Sequence, residues 1–163
     1  MIEIRQADLP AELKEIQNII QKSFLTVADD FGFTKENAPT NPAFISLDKV
    51  KESIENGTEF FIAKDSDNKA GCIAIEKDPK SEDNYFLERL AVLPEHRHNR
   101  IGQKLLDYAA SEIKKRNGIS AGIAIVDENK RLKEWYINYG FKVNGVKTFP
   151  HLPFTVCFLS LEV

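Results

Sequence analysis

The feature that most constrains the fold is a strand–helix–strand stretch in the middle of the chain. Residues 84–93 form a long, mostly apolar run that predicts a β-strand, and residues 121–126 form a second one. Between them, an apolar residue recurs every four positions from Ile101 to Ile113, which predicts an amphipathic helix. Two strands joined through one helix are expected to lie parallel in a sheet, with a right-handed crossover.

The elements on either side of this unit predict a mixed α/β structure. The other predicted strands cover residues 2–6, 58–64, 70–76, 141–147 and 154–163, and the other predicted helices begin near Leu13, Leu47 and Asn129. The predicted order is β-α-α-β-β-β-α-β-α-β-β, which favours one sheet flanked by helices. No linker or repeat interrupts the chain, so residues 1–163 are expected to form a single domain.

The charge and composition argue against several classes of partner. The 22 basic and 25 acidic residues give a formal net charge of −3, without the basic surplus typical of nucleic-acid binding. No stretch approaches the about 20 apolar residues that span a bilayer, and no signal peptide is evident. Cys72 and Cys157 lie in apolar runs and are expected to be buried thiols. We therefore expect a cytoplasmic protein without nucleic-acid or membrane partners, and an edge strand near the C-terminus could pair in a homodimer.

The turn between the first strand and the helix has the chemistry of a phosphate site. A helix N-terminus leaves backbone N–H groups unpaired and carries roughly half a positive charge. Arg97 and Arg100 add forked donors that suit phosphate oxygens, Gly102 removes a side chain, and Asn99 can cap the helix. These residues predict a diphosphate-binding turn. The alternative is a solvated loop that leads into a surface helix.

Two motifs resemble those of a known family. Residues 92–106, VLPEHRHNRIGQKLL, resemble the acetyl-CoA-binding motif of the GNAT superfamily of N-acetyltransferases. Downstream, Asn129, Tyr136 and Gly140-Phe141 resemble the family's Asn-x6-Tyr-x3-Gly-Phe segment. The resemblance implies a mostly antiparallel central sheet and acetyl-CoA as cofactor. The residues that it implies in cofactor binding are Leu90, Ala91, Val92, Arg97, His98, Asn99, Arg100, Ile101, Gly102, Gln103, Asn129 and Tyr136.

One residue departs from the family pattern. Arg100 stands where the family has the first glycine of the turn. A positive φ at this position would cost an arginine on the order of 1 kcal/mol. We expect Arg100 to be helical instead, with its N–H facing the ligand and its guanidinium adding a phosphate contact.

The resemblance implies direct acetyl transfer from a thioester to a primary amine, which requires an acid and a base. Tyr136 matches the family tyrosine near the sulfur and is the candidate acid for the leaving thiolate. Glu88, a charge within an apolar strand, is the candidate base, because burial raises a carboxyl pKa. His151, between the last two strands, is the alternative base, since a histidine titrates near neutral pH. In the alternative interpretations, Tyr136 fills the core and Glu88 faces outward.

The acceptor site is expected near the first helix, the loop that follows it and the last hairpin. The candidate residues there are Phe24, Phe31, Phe33, His151 and Phe154. A cationic or partly apolar amine would suit this region, although these aromatic residues could instead fill the core. His96 and His98 form a His-x-His pair, but no further ligand accompanies them in sequence, so no metal is expected.

The sequence thus favours an acetyl-CoA-dependent N-acetyltransferase that acts on a primary amine of a small molecule. One alternative is a non-catalytic acyl-CoA-binding or regulatory module on the same fold, which would not need Tyr136 or Glu88. Another is an enzyme that acetylates proteins or peptides.

Overall fold

The computed structural model describes residues 1–163, and its elements follow the predicted order. The strands are β1 (Ile2–Gln6), β2 (Glu59–Asp65), β3 (Asn68–Lys77), β4 (Asn84–Val92), β5 (Ser120–Val126), β6 (Lys142–Thr148) and β7 (Thr155–Glu162). The helices are α1 (Leu13–Phe31), α2 (Leu47–Glu55), α3 (Ile101–Lys115) and α4 (Lys130–Tyr139). Short 3-10 turns at Pro42–Phe44 and Pro94–His96 complete the structure.

All seven strands form one sheet in the order β1-β2-β3-β4-β5-β7-β6. Every neighbouring pair is antiparallel except β4 and β5, which are parallel and joined through α3. The predicted mixed, mostly antiparallel sheet is therefore confirmed, including the parallel pair expected from the central strand–helix–strand unit.

The two faces of the sheet carry different helices because side chains alternate along each strand. One face packs against α3, whose Ile101, Leu105 and Ile113 are fully buried, and against Tyr136 of α4. The other face packs over β2, β3 and β4 against α1, including Ile16, and against α2. On this second face, Ala124 of β5 and Phe158 of β7 remain exposed, so half of the face is open.

A small aromatic cluster connects two loops on the open face. Phe33, just after α1, lies 5.0 Å from Phe154 before β7, measured between ring centroids, and 5.9 Å from Phe31. Val126 at the end of β5 packs against the same cluster. The cluster therefore bounds the open face at the end of β5.

The last hairpin forms the edge of the sheet. Every residue of β6 is exposed, as expected for an edge strand near the C-terminus. Cys72 and Cys157 are both buried free thiols, which confirms the expectation for these residues. None of the helices combines the length and the apolar character that a membrane crossing requires.

Candidate active site

The parallel pair separates soon after it begins. Residues Asn84–Phe86 of β4 pair with Ser120–Gly122 of β5, and no later residue of β4 has a partner there. The remainder of β4 stays paired on its other side with β3 up to Val92. Because backbone groups need partners, the facing edges of the two strands form a slot that an amide-containing extended ligand can fill.

A bulge in β4 lies beside this slot. The register with β3 shifts between Cys72 and Ala74, and Arg89 adopts a left-handed conformation with φ 54°. β3 and β4 approach closely at this point, since a Cβ on Gly71 would lie 2.7 Å from the carbonyl oxygen of Ala91. Bulges re-aim side chains and backbone groups, and they recur next to active sites.

The turn that follows β4 contains two left-handed residues. His98 has φ 71°, and Arg100, the residue that precedes α3, has φ 57° and ψ 24°. The prediction that Arg100 is helical is therefore wrong, and the residue has the strained conformation that a glycine would adopt without cost. Asn99 does not cap the helix either: Arg100 occupies the N-cap position without a side-chain cap, and the amide nitrogen of Asn99 donates to Asp65 at 3.3 Å.

The turn and the first turn of α3 present a row of free donors. The backbone N–H groups of Arg100, Ile101, Gly102 and Gln103 make no hydrogen bond within the protein, and the helix ladder starts when Lys104 N–H donates to Arg100. Successive N–H groups in such a turn form a concave anion site, which the helix dipole reinforces. The predicted diphosphate-binding turn thus has the required donors.

The guanidinium of Arg97 makes its hydrogen bonds to other groups of the protein, contrary to the prediction that it contacts phosphate. It donates to the hydroxyl of Thr26 at 3.1 Å, to the carbonyl of Ser23 at 2.9 Å and to the carbonyl of Val92 at 3.2 Å. The N–H of Val92, predicted to bind the cofactor arm, donates to the Ser23 hydroxyl at 3.2 Å. We call this group of residues the Ser23–Arg97 network; it joins α1 to the end of β4.

Tyr136 lies near the turn before α3, because its neighbour Trp135 packs on the first turn of that helix. Trp135 covers the first turn of α3, where a Cβ on Gly102 would be 3.5 Å from its ring, and its ring centroid is 5.0 Å from that of Tyr136. Tyr136 also packs edge-on against Phe141. Its hydroxyl makes no hydrogen bond within the protein and reaches solvent, since every fully buried side-chain polar atom has a partner. Burial of the residue raises the pKa of the phenol well above its ordinary value. The hydroxyl is therefore protonated and free to donate.

Asn129 begins α4 at the other side of the slot. Its side-chain oxygen accepts a hydrogen bond from the N–H of Leu132 at 3.2 Å and so caps the helix. Its amide nitrogen has no partner in the protein and remains available as a donor.

Glu88 points to the face of the sheet that carries α1 and α2. It lines a polar recess of about 200 Å³ together with Glu76 of β3, Arg89 and two charged side chains of α2, Lys49 and Glu52. Glu88 is half-buried. Burial is the main cause that raises the pKa of its carboxyl, and the nearby charge of Glu76 is the second. Glu88 thus lies in the kind of environment expected for a base.

Four of the five predicted acceptor residues lie in or beside the small aromatic cluster. Phe33 and Phe154 are in the small aromatic cluster, with Phe31 and Phe24 beside it. His151 is exposed in the loop between β6 and β7, with its ring centroid 5.8 Å from that of Phe149. No contact in the structure joins His151 to Glu88 or Tyr136.

Three residues of this region had no signal in single-sequence reasoning. Ser23 is a buried helix residue whose hydroxyl accepts from Val92, Glu76 shares the recess of Glu88, and Gly71 allows the close approach beside the bulge. Each acquires its role through a residue distant in sequence, so only the strand register or the helix packing reveals it.

Comparison with known proteins identifies the family. The family model of the acetyltransferase (GNAT) domain matches residues 56–143, more than half of the chain. The chain belongs to the GNAT acetyltransferase family. The matched residues include Glu88, the turn, α3 and Tyr136 of this GNAT protein. No curated protein matches the chain.

Solved structures show the same fold for this GNAT protein. A protein from Desulfovibrio desulfuricans assigned to the GNAT family is 21% identical with a TM-score of 0.78, and the alignment covers 99% of both chains. The ribosomal-protein-S18-alanine N-acetyltransferase of Escherichia coli is 15% identical with a TM-score of 0.78, and covers 100% of this chain and 94% of its own. The PaiA N-acetyltransferase of Thermoplasma acidophilum, solved in complex with coenzyme A, is 20% identical with a TM-score of 0.73, and covers 100% of this chain and 99% of its own.

Proposed function

We propose that this GNAT protein is an acetyl-CoA-dependent N-acetyltransferase that acetylates a primary amine of a small molecule. The observation that carries the proposal is the conjunction of an open slot between β4 and β5 with four free N–H groups at the adjacent helix N-terminus. The complex of the Thermoplasma acidophilum relative with coenzyme A supports the choice of ligand.

The residues present fit acetyl-CoA. The N–H groups from Arg100 to Gln103 and the free guanidinium of Arg100 would hold the pyrophosphate. The unpaired edge of β4 around Leu90 and the amide nitrogen of Asn129 would hold the amide-containing arm. When bound, acetyl-CoA supplies an activated acetyl group as a thioester.

Proton transfers complete the reaction. Glu88 accepts one proton from the ammonium form of the acceptor, which gives the neutral amine that attacks the acetyl carbon. As the new C–N bond forms and the C–S bond breaks, Tyr136 donates its proton to the departing sulfur and regains one from the nitrogen. The products are the amide and the free thiol, and the proton held by Glu88 passes to water.

The open half-face between the recess and the small aromatic cluster would admit the acceptor. It offers the apolar side chains of Ala124 and Phe158, and Phe154 lies in the cluster at its border. The Escherichia coli relative is named for a protein substrate, so an enzyme for proteins or peptides is the alternative within the same chemistry. A single 1–163 domain, a cytoplasmic location and a homodimer stay predictions.

A thermal-shift titration with acetyl-CoA, coenzyme A and ATP tests the cofactor. A ligand present at about 100 times its dissociation constant stabilises the folded state by about 2.7 kcal/mol. We expect both CoA compounds to raise the unfolding midpoint and ATP to leave it unchanged. Binding without thiol release on any amine would favour the non-catalytic module, and no shift with acetyl-CoA would contradict the proposal.

Replacing Gln103 by proline tests the free N–H groups. Gln103 is exposed in the first turn of α3 and its N–H is unpaired, so the ring removes a donor without breaking the helix ladder. Loss of a hydrogen bond to a charged group costs about 1.5–3 kcal/mol, so we expect acetyl-CoA to bind at least about 10-fold more weakly. Gln103→Ala keeps the N–H and should bind normally; equal weakening in both variants would refute the role of the backbone.

Replacing Arg100 by glycine separates strain from binding. Relief of the left-handed arginine should raise the free energy of unfolding by about 0.5–1 kcal/mol, measured by denaturant titration. Loss of the guanidinium should weaken acetyl-CoA binding about 10-fold. Arg100→Asn, which tolerates this conformation but carries no charge, should lose the same affinity. Undiminished affinity in both variants would exclude a phosphate contact by Arg100.

A further inference from the structure

Glu76 and Glu88 lie side by side because of the strand register. Ala74 of β3 pairs with Glu88 of β4, and Glu76, two residues beyond Ala74, pairs with Phe86. Residues two apart on a strand share a face, so Glu76 and Glu88 are diagonal neighbours on the face that carries α2. Both carboxyl groups line the same polar recess.

The other charges of the recess leave this pair without an ion-pair partner. Lys49 and Glu52 of α2 pair with each other at 3.6 Å, and both side chains are largely exposed. Arg89, from β4 itself, is the remaining charged residue of the recess. No ion pair in the structure involves Glu76 or Glu88.

Two neighbouring half-buried carboxyl groups cannot both ionise freely. The first proton to leave the pair leaves a negative charge that disfavours loss of the second. Burial and then the charge of Glu76 raise the pKa of Glu88, and the nearby positive charge of Arg89 opposes them only in part. A pair of this kind retains basicity closer to neutral pH than a lone surface carboxylate does.

We propose that Glu76 is a positioning residue for acetyl transfer, which forms a carboxyl pair with Glu88 and shares with it the proton taken from the acceptor amine. The inference rests on the proposed function for its role in turnover. No new bond is required: one proton leaves the ammonium group, lies between the two carboxyl groups, and is released to water after the amide has formed.

Carbon-13 NMR of the glutamate carboxyl groups tests the pair without cofactor or acceptor. Glu88→Gln identifies the Glu88 resonance by its loss, and a pH titration then gives the midpoint of Glu88. We expect the wild-type midpoint to lie above the ordinary 4.5. In Glu76→Gln it should fall by about one unit, since one negative charge is lost, while burial of Glu88 remains.

Glu52→Gln is the matched control, because it removes a carboxylate from the same recess but from α2, where Lys49 already pairs with it. Its Glu88 midpoint should stay at the wild-type value. An unchanged midpoint in Glu76→Gln, or an equal shift in Glu52→Gln, would overturn the pair.

The pH profile of thiol release with the best amine acceptor tests the role in turnover. Glu88 works as a base when ionised, so the rate falls as the pH drops through its pKa. In Glu76→Gln this fall should occur about one unit lower, in step with the NMR midpoint. An NMR shift without a shift of the profile would overturn the positioning role. Failure of the wild-type protein to bind acetyl-CoA would contradict the proposed function alone, since the titration of the pair does not depend on it.

Discussion

Tyr136→Phe is expected to lower kcat by about 10²–10⁴-fold, the usual contribution of a positioned general acid, while leaving acetyl-CoA affinity nearly unchanged. The ring packs against Trp135 and Phe141, and phenylalanine keeps those contacts. Only the unpartnered hydroxyl is lost. Because burial raises the pKa of Tyr136, the wild-type enzyme should show no loss of its acid below about pH 10.

Tyr139→Phe provides the matched control on the same helix. Its hydroxyl donates to Asp107 at 2.6 Å and is therefore engaged on the protein surface. This variant should retain the wild-type kcat. Steady-state thiol release combined with an acetyl-CoA titration distinguishes the two effects. Wild-type turnover in Tyr136→Phe would show that catalysis does not need the hydroxyl and that Tyr136 is only a core residue.

Glu88→Gln is expected to reduce kcat/KM at neutral pH by about 10²-fold or more, because the acceptor amine then loses its proton acceptor. Glutamine matches the size of glutamate and can hydrogen-bond to Glu76, so the strand should keep its structure. The fall of kcat/KM toward acidic pH should also be absent in this variant. Its sign follows from the raised pKa of Glu88: activity is present above that pKa and is lost as the pH falls through it.

Glu82→Gln serves as the comparison for this variant, since it removes one carboxylate from the exposed loop before β4. Both proteins change net charge equally, and only Glu88→Gln should lose activity. A further check uses alkaline pH, where a larger fraction of the amine is already neutral. The defect of Glu88→Gln should shrink there; a defect that is constant across pH would argue for a structural role.

The order of elements could be predicted because each depends on local periodicity. Apolar spacing from Ile101 to Ile113 marks α3, and strand-like runs mark β4 and β5 on either side. The parallel pairing then follows from chain connectivity. The free donors of the turn could also be predicted, because a helix N-terminus after a strand has unpaired N–H groups whatever its side chains.

The predictions that were wrong concern residues whose conformation or hydrogen-bond partners depend on tertiary contacts. Arg97 looks like a phosphate ligand in sequence, but Ser23 and Thr26 of α1 take its donors, and they are about 70 residues away in the chain. Asn99 has good capping chemistry, but α3 begins one residue later, so Arg100 occupies the N-cap position. Arg100 adopts the left-handed conformation in the turn between β4 and α3, which residue propensity alone does not predict.

The separation of β4 from β5 has a consequence for how such proteins diverge. A slot whose walls are peptide groups presents the same donors and acceptors whichever residues carry them. Substitutions along these strands can therefore accumulate without erasing the recognition chemistry, provided that the backbone path is kept. Relatives that share only 15–21% of their residues with this chain retain its fold over nearly their whole length. The groups that line such a slot thus depend on the path of the main chain, which these structures share with the chain as part of the fold.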